Sequence, residues 1–534
     1  MQGPDSTASE KKNVSRAAGV VGFYTLLSRI LGLVRDMVLA FFFGTGMTMD
    51  AFVAAFRIPN LLRRLFAEGS LTIVFIPVFT EYLTTRTKKD AFDLARIVLT
   101  LLLLVLVCVT LAGILFAPWI VRIQAWGFGS SGVKYDLTVY LTRITFPYIF
   151  FISIVAFFMG VLNSLRRFAA PAAAPIFLNV GIIGAAYLLS PHLARPIVGV
   201  AFGVLIGGML QVILQVPWIV KEGLKLFPLW QPGHPGVKKI GMLMLPAVFG
   251  SAVYQLNSYI GTLLASFLAE GSVSWLYYAD RLVQFPLGVF AIAISTAALP
   301  SLSTHAARED PGEFAKTLSH SLRLVFFIIL PSMAGLIVLG RPVIRVLLER
   351  GAFDSCSTLM TDRALLFYVL GLWAFSGTRV IVSAFYALQD TKTPVKIAFV
   401  AFAANLFFSL ALMGPLKHGG IALALSLSST IQFFLLIFFL KRKTQMDDLR
   451  PVPVSALKSA FAAAVMGLGV FYFHSRWLTA DPGAGLFRMV ADLAGLIIIG
   501  VIIYFAVARI LGCRELGSIG EMFGPIFGKK KRNS

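Results

Sequence analysis

The sequence has 534 residues, of which 58% are hydrophobic and 13% are charged. A soluble domain is typically about 45–50% apolar and about 25% charged, so this composition excludes a water-soluble globular protein. The formal net charge of +22 would suit a nucleic-acid-binding protein, but the basic residues recur between apolar runs instead of collecting in one domain, which is typical of loops beside an anionic membrane surface. We therefore expect a membrane protein without a nucleic-acid partner.

The cysteines and the N-terminus narrow this class further. Cys108, Cys356 and Cys513 lie far apart in the sequence and predict neither a disulfide framework nor a metal site. The first dozen residues are polar and are followed by no short apolar stretch with a cleavage site. We therefore expect no cleaved signal peptide, and we expect the first helix to direct membrane insertion.

Long apolar runs predict an all-α polytopic membrane protein with about fourteen transmembrane helices, since each crossing needs about 20 mostly apolar residues. In chain order the predicted spans are 17–43, 50–83, 94–121, 137–163, 172–190, 196–220, 240–266, 273–304, 318–347, 364–388, 395–414, 419–440, 454–475 and 487–510. An even number of spans places both termini on one side. Lys and Arg are about three times as frequent in the segments on that side as in the opposite loops, so the positive-inside rule predicts cytoplasmic termini.

Prolines recur at a nearly constant offset and indicate an internal repeat. Pro77 matches Pro300, Pro118 matches Pro342 and Pro171 matches Pro394, each 223 or 224 residues apart. This offset equals six spans, so the two halves have the same orientation and form parallel repeats. The predicted organisation is a cytoplasmic tail (1–16), an N-lobe of helices 1–6 (17–221), a C-lobe of helices 7–12 (238–442), helices 13–14 (454–510) and a basic cytoplasmic tail (511–534).

The first two predicted spans contain charges that a lipid environment disfavours. A charge near the bilayer centre costs roughly 2.5–3.5 kcal/mol even on permissive scales. These spans nevertheless contain Arg29, Arg35, Asp36, Asp50, Arg57, Arg63, Arg64 and Glu68. The five arginines exceed the three acids by two charges. A lipid diphosphate carries about −2, and the planar donors of arginine suit phosphate oxygens.

Two interpretations of these charges remain open. The arginines can face a wet cavity and bind an anionic substrate, which we expect of Arg29, Arg35 and Arg63, or they can form a network with the acids that only joins the helices. Arg57 and Arg64 fit both interpretations equally well.

In the second half, Asp280 and Arg281 interrupt the span that corresponds to helix 2. Adjacent helical residues do not face each other, so a local pair between these two residues is not expected. We expect substrate to be the external partner of Arg281, and the alternative partner is a structural acid.

The sequence lacks the motifs of common enzyme classes. It contains no Walker-type glycine loop, no HExxH and no GxSxG. We predict no catalytic residue, no metal site and no cofactor. Without an ATP-binding motif, transport must be driven by an ion gradient, by the membrane potential or by the substrate gradient.

Several segments identify a family resemblance. SRILGLVRD (28–36), FGTGMTMDAF (43–52), RIPNLLRRLFAEGSL (57–71), FPYIFFIS (146–153), GSVSWLYYADRL (271–282) and QDTKTPVK (389–396) resemble the bacterial lipid II flippase family MurJ/MviN, of the multidrug/oligosaccharidyl-lipid/polysaccharide exporter superfamily. The resemblance runs from about residue 15 to 510. It implies two six-helix lobes around a cationic cavity, with a groove at helices 13–14 for the undecaprenyl tail.

The resemblance also implies roles for particular residues. The arginines of its SRxLGxxRD and LLRR segments correspond to Arg29, Arg35 and Arg63, the acid of MDAF to Asp50, and the arginine of ADRL to Arg281. The family often has an acid where this sequence has Gln284, so an essential carboxylate there is not expected. Some members are thought to bind sodium through carboxylates of the C-lobe. Helices 7, 11 and 12 have no acid here, so we predict no sodium site.

The expected function is transfer of lipid II, the undecaprenyl-diphosphate-linked peptidoglycan precursor, from the cytoplasmic to the periplasmic leaflet of a bacterial inner membrane by alternating access. Its partners would be lipid II, membrane lipids and the peptidoglycan synthesis machinery. One alternative is a flippase for another polyprenyl-diphosphate glycan of the O-antigen or exopolysaccharide type. A multidrug exporter would need a cavity dominated by carboxylates, and a membrane enzyme would need an acid/base or metal cluster. A scaffold would leave the arginines unexplained.

Overall fold

The computed structural model describes the backbone of residues 4–63, 71–444, 449–477 and 485–517, and the side chains of these ranges except 4–18, 71–73, 245–258 and 477. Within these ranges the regular structure is helical throughout, without a strand. Predicted site residues Arg64 and Glu68 lie outside the described residues. The chain divides into two compact units, unit 1 with Met1–Ser274 and Arg350–Phe353, and unit 2 with Trp275–Glu349 and Asp354–Ser534.

Unit 1 contains ten helices among its described residues. They are α1 (Pro4–Phe43), α2 (Met47–Leu62), α3 (Leu71–Thr85), α4 (Lys88–Leu115), α5 (Ala117–Gln124), α6 (Val133–Thr145), α7 (Tyr148–Ser164), α8 (Ala169–Leu188), α9 (Ile197–Lys221) and α10 (Pro235–Ala265). The first residues of α11 (Ser272–Pro286) also belong to this unit.

Unit 2 continues α11 through a π-helical turn at Leu287–Ala291. Its further helices are α12 (Ile292–Ala307), α13 (Pro311–Leu347), α14 (Ser355–Val369), α15 (Leu372–Ala387), α16 (Lys392–Leu416), α17 (His418–Thr444), α18 (Pro451–Trp477) and α19 (Leu486–Ile510). Helices α18 and α19 share an apolar core with α13 in which Tyr504 donates a hydrogen bond to the carbonyl of Phe327 at 2.6 Å.

The helices confirm the prediction of an all-α membrane protein. Among the described residues, ten helices are long and apolar enough to cross a membrane, where α6 with α7 and α11 with α12 each count as one helix. Helices α14 and α15, bent by 44° relative to each other, form an eleventh candidate. The three other predicted spans coincide with α1, with α2 plus α3, and with α10. Every one of the fourteen predicted spans therefore overlaps one or two of the described helices.

Helix bounds in the two halves recur at the offset of the predicted internal repeat. Helices α8 and α16 begin at 169 and 392, and α9 and α17 end at 221 and 444, so both pairs are 223 residues apart. In both halves, the span before this helix pair consists of two helices with a short turn between them: α6 ends at residue 145 before α7, and α14 ends at residue 369 before α15. Even an unusual backbone conformation recurs, because Arg166 and Gln389 both have a positive φ, of 60° and 56°. The predicted lobe boundaries at 221 and 238 remain a prediction.

Small residues allow two helices of unit 1 to pack closely. A Cβ atom added at Gly203 would lie 2.7 Å from the Cβ of Ala185, and one added at Gly207 would lie 2.8 Å from the Cα of Leu178. Real Cβ atoms do not approach other atoms so closely, so α9 needs glycine where it crosses α8. Gly199, Gly203 and Gly207 form a small-xxx-small pattern on α9 that serves helix packing.

Candidate functional site

Arg35 and Asp36 of α1 form an ion pair. The guanidinium of Arg35 donates to Oδ1 of Asp36 from Nε at 3.0 Å and from Nη2 at 2.7 Å. The two side chains are only 11% and 5% exposed. Neighbouring helical residues ordinarily point apart, but the long arginine side chain lets its guanidinium reach the adjacent carboxylate. The site therefore contains a buried ion pair inside a predicted span.

Asn179 of α8 completes this arrangement. Its side-chain oxygen accepts a hydrogen bond from Nη1 of Arg35 at 3.1 Å, and its amide nitrogen donates to the carbonyl of Ser28 at 3.2 Å. Asn179 is buried and fixes the guanidinium from a second helix. The sequence analysis did not identify Asn179, although a polar residue within the apolar run of α8 could have indicated a buried hydrogen bond.

Asp50 of α2 is 1% exposed and accepts four hydrogen bonds. One oxygen accepts from Nζ of Lys134 at 2.7 Å and from the backbone of Gly271 at 2.9 Å. The other accepts from the backbone and the hydroxyl of Ser274, at 2.9 and 2.6 Å. A carboxylate offers about four acceptor sites, so this one is saturated. Asp50 caps the first turn of α11, where the helix dipole favours an anion.

Lys134 was also missed by the sequence analysis. Its ammonium group lies between Asp50 and the ring of Phe128, whose centroid is 4.2 Å away. The available signal was a lysine three residues before the fourth predicted span (137–163), close to Gly132. Because it lies outside the first two spans, their predicted charge excess omitted this cation.

Further contacts within unit 1 surround Asp50. The backbone N–H of Met47 donates to Oε1 of Glu270 at 2.7 Å, and the N–H of Ala352 donates to the carbonyl of Phe41 at 2.8 Å. Gly44 and Gly351 have positive φ angles, and an added Cβ would collide with the carbonyl oxygens of Ala352 and Phe41 respectively. We call the group formed by residues 41–50, Lys134, residues 270–274 and residues 350–353 the end cluster.

The other predicted arginines of unit 1 are half-buried. They are Arg29 on α1, Arg57 on α2 and Arg63 directly after α2. Arg63 donates from Nε to the side-chain oxygen of Asn60 at 3.0 Å, which holds its side chain along the last turn of α2. The structure thus brings Arg35 and Asp36 together directly, and it places Asp50 in the separate end cluster.

In unit 2, Asp280 and Arg281 contact different side chains of their own helix. Arg281 lies over the ring of Tyr277, with its guanidinium carbon 4.8 Å from the centroid. Asp280 accepts a hydrogen bond from the amide of Gln284 at 3.4 Å. Where the resembled family often has an acid, this chain therefore has a donor, and the change avoids repulsion between like charges one turn apart.

The guanidinium groups of this site are chemically suited to an anionic ligand. Guanidinium groups present several N–H donors in one plane, which matches phosphate and carboxylate groups. Among the described residues, no group of three or more His, Cys, Asp or Glu side chains could hold a metal ion. The arginines of α1 and α2 are therefore the strongest candidates for binding a ligand.

Comparisons with known proteins match one family over most of the chain. The family model described as "Lipid II flippase MurJ" matches residues 39–490. The "Probable lipid II flippase MurJ" of Vibrio cholerae is 39% identical over 511 residues, which cover 94% of this chain and 97% of that protein. The "Lipid II flippase MurJ" of Burkholderia cenocepacia is 38% identical over 435 residues, 81% of this chain and 84% of that protein.

Two solved structures are similar as well. "Lipid II flippase MurJ, inward closed conformation" superposes with a TM-score of 0.78 at 27% identity, over 92% of this chain and 98% of that one. An inward-facing multidrug resistance MATE family transporter of the MOP superfamily superposes with a TM-score of 0.69 over 81% of this chain and 99% of that one. The MATE transporter is only 13% identical, so that likeness extends to the fold alone.

Proposed function

Because this chain belongs to the MurJ family of lipid II flippases, we propose that it transfers lipid II from the cytoplasmic to the periplasmic leaflet by alternating access, for cell-wall synthesis. The observation that carries the proposal is the family match over residues 39–490. The protein is a multi-pass inner-membrane transporter and not an enzyme. Its substrate, an undecaprenyl diphosphate with a disaccharide-peptide headgroup, presents an anion and a long apolar chain.

The anionic part of lipid II would bind to the predicted arginines. Arg29, Arg35 and Arg63 are the proposed diphosphate ligands in unit 1, and Arg281 of unit 2 is a proposed headgroup ligand. The buried contacts of Arg35 support this assignment, because Asp36 and Asn179 hold its guanidinium in one orientation. A pre-oriented arginine loses less side-chain entropy when it binds phosphate. Asp36, Arg57 and Asp280 would set the charge around these ligands.

The apolar part would remain in contact with the membrane at α18 and α19. Exposed apolar side chains line α19, among them Val490, Ile498 and Ile502, and they support a tail groove along these two helices. Lipid-exposed apolar surface can hold a polyprenyl chain while the headgroup crosses through the protein. The contacts of Tyr504 and Glu515 with α13 and α18 keep both helices attached to unit 2.

We place both termini in the cytoplasm because Lys and Arg concentrate on that side. This orientation puts the end cluster at the periplasmic surface, together with the exposed thiol of Cys356. Labelling of Cys356 in intact cells by a membrane-impermeant thiol reagent checks the orientation. Membrane lipids and the peptidoglycan synthesis machinery are the further proposed partners, and cross-linking in growing cells checks the latter.

The decisive experiment is functional replacement in a bacterium whose own lipid II flippase can be shut off. Periplasmic exposure of labelled lipid II is measured for the wild type, for Arg35→Ala and for Arg195→Ala, an exposed loop arginine, at equal membrane levels. We expect the wild type and Arg195→Ala to restore growth and lipid II exposure, and Arg35→Ala to reduce exposure at least tenfold. A well-expressed wild type that exposes no lipid II would make another polyprenyl-diphosphate glycan the leading substrate.

A double variant separates substrate binding from a purely structural role of Arg35. Arg35→Ala leaves the carboxylate of Asp36 buried without its ion-pair partner, which is costly in itself. Arg35→Ala with Asp36→Asn removes both charges. If Arg35 only neutralises Asp36, the double variant regains lipid II export; if Arg35 binds the diphosphate, the double variant stays inactive.

A further inference from the structure

We propose that Glu270, which lies in the end cluster with Asp50, caps α2 from outside that helix and favours a closed state, in which the first turns of α2 and α11 are joined as in this structure. The inference rests on the proposed alternating access, because it concerns the contacts that would have to open and close during that cycle. Glu270 would act through the backbone of Met47 and not on the substrate. It is therefore a positioning residue for the conformational cycle.

Helix α2 needs a cap from elsewhere in the chain. The first N–H groups of a helix have no partner within the helix. The residue before α2 is Gly46, which has no side chain to accept from them. Oε1 of Glu270 accepts from the N–H of Met47, the first residue of α2, at 2.7 Å. A carboxylate at this position also interacts favourably with the helix dipole.

The capping is reciprocal between two helices. Asp50 lies in the first turn of α2 and caps α11, while Glu270 lies just before α11 and caps α2. In a capping box, two side chains of one helix end satisfy each other's backbone donors in this way. Here the exchange joins the first turns of two different helices. Separation of these turns would break both caps in the same movement.

The two carboxylates differ in burial, and this difference assigns them different roles. Asp50 is 1% exposed and saturated with hydrogen bonds, so the closed state depends on it strongly. Glu270 is exposed, and water can replace its bond to Met47 when the turns separate. Loss of Glu270 should therefore shift the balance between closed and open states without destroying the closed state.

The test measures how often the end cluster opens. Ser272 is 1% exposed and nearly isosteric with cysteine, so Ser272→Cys serves as the reporter in a background of Cys108→Ser, Cys356→Ser and Cys513→Ala. The full chain is purified into lipid nanodiscs, and the rate of reaction with a small thiol reagent is recorded. We expect Glu270→Ala to raise this rate about two- to fivefold, the change that loss of a weak helix cap produces. Glu270→Gln keeps an acceptor oxygen and should lie between Glu270→Ala and the parent.

A backbone variant tests the same bond from the donor side. Met47→Pro removes the N–H that Glu270 accepts, and proline is well tolerated at the first position of a helix. Met47→Pro should raise the labelling rate as much as Glu270→Ala does. The two changes together should raise it no further, because both remove one interaction.

Two controls separate a shift of the gate from general damage. Asp136→Asn changes an exposed acid in the first turn of α6 and should leave the rate of Ser272→Cys unchanged. The reporter Ser459→Cys, buried in α18 of unit 2, should react no faster in Glu270→Ala, whereas general loosening would accelerate both reporters.

The proposed role of the cap would be contradicted by either of two outcomes. In the first, Glu270→Ala leaves the labelling rate of Ser272→Cys unchanged. In the second, Glu270→Ala raises the rate but Met47→Pro does not. Failure of the wild type to export lipid II would instead count against the proposed function alone, since the labelling uses no substrate.

Discussion

Each half of the repeat has an ion pair between the segment before one helix and the end of the next helix, and the two pairs have opposite polarity. In unit 1, Nε of Arg167, before α8, lies 2.7 Å from Oε1 of Glu222, after α9. In unit 2, Oδ2 of Asp390, before α16, lies 2.6 Å from Nζ of Lys443, at the end of α17. The acid and the base have exchanged positions between the halves. In both pairs the acid is the less exposed partner, 18% and 12% against 56% and 44% for the bases.

This exchange distinguishes charges that support the scaffold from charges that are specific to one half. Either polarity ties a loop to the end of a later helix, so the position requires a pair and not a particular sign. The charges of α1 and α2 differ from this pattern. The second predicted span (50–83) contains six charged residues, whereas its counterpart in the repeat (273–304) contains two, Asp280 and Arg281. The duplicated scaffold therefore carries an unduplicated set of charges, and we assign function to that set.

The largest effect is expected when one acid in each half is neutralised. Asp50→Asn loses a charge-assisted bond to Lys134 and places amide donors against N–H groups. A hydrogen bond to a charged group contributes about 1.5–3 kcal/mol, so Asp50→Asn should raise the labelling rate of Ser272→Cys at least tenfold and reduce lipid II export. Asp280→Asn, which weakens only the 3.4 Å contact from Gln284, should leave that labelling rate within about twofold. Equal effects of the two variants would contradict the assignment.

A smaller effect is expected at a backbone contact of the end cluster. Gly351 has φ 59°, and an alanine Cβ there would collide with the carbonyl of Phe41. Gly512 has nearly the same conformation, φ 63°, but open space around its Cβ position. Alanine in this region of φ costs about 1 kcal/mol. Gly512→Ala should show that cost alone in thermal unfolding and leave the labelling of Ser272→Cys unchanged. Gly351→Ala should also raise the labelling about threefold or more, and equal labelling in both variants would exclude a role of this contact in closure.

The sequence was sufficient for the helices because their signals are local. Apolar runs of about 20 residues locate the spans, and prolines at a constant offset reveal the repeat. The buried charges of α1 and α2 could also be identified, since a charge within an apolar run is conspicuous. Their partners could not be identified, because Asn179 and Lys134 lie 144 and 84 residues away from Arg35 and Asp50 in the chain. Such pairings depend on helix packing and loop geometry, which no short pattern encodes.

The directions of Cβ atoms on a helix do not predict the contacts of long side chains. Residues 35 and 36 point to different sides of α1, yet the guanidinium of Arg35 reaches the carboxylate of Asp36. The rule that neighbours on a helix do not face each other describes Cβ directions, and an arginine is long enough to fold back. The capping of α11 by Asp50 was hidden for another reason, since its donors are backbone N–H groups that any residue could supply.

The smallest effect is expected at the charge-reversed pair and depends on pH. Burial alone raises the pKa of the Asp390 carboxyl, but the hydrogen bond from Lys443, the two bonds from Thr393 and the charge of Lys443 outweigh burial and lower the pKa to about 2. An unfolded chain has a carboxyl pKa of about 3.9. Asp390 therefore contributes stability above about pH 4, and this contribution is lost as the pH falls from 4 towards 2.

Asp390→Asn should lower the free energy of unfolding by about 1 kcal/mol at pH 6, since such surface pairs contribute little. The difference from the wild type should shrink as the pH falls below 4. Glu222→Gln, in the pair of reversed polarity, should have a smaller effect at pH 6, because Glu222 accepts the bond from Arg167 whereas Asp390 also caps α16 through Thr393. Thermal unfolding of the purified protein at pH 6 and pH 3.5 measures both differences. A difference between the wild type and Asp390→Asn that grows on acidification would show that the folded state does not favour the ionised form of Asp390.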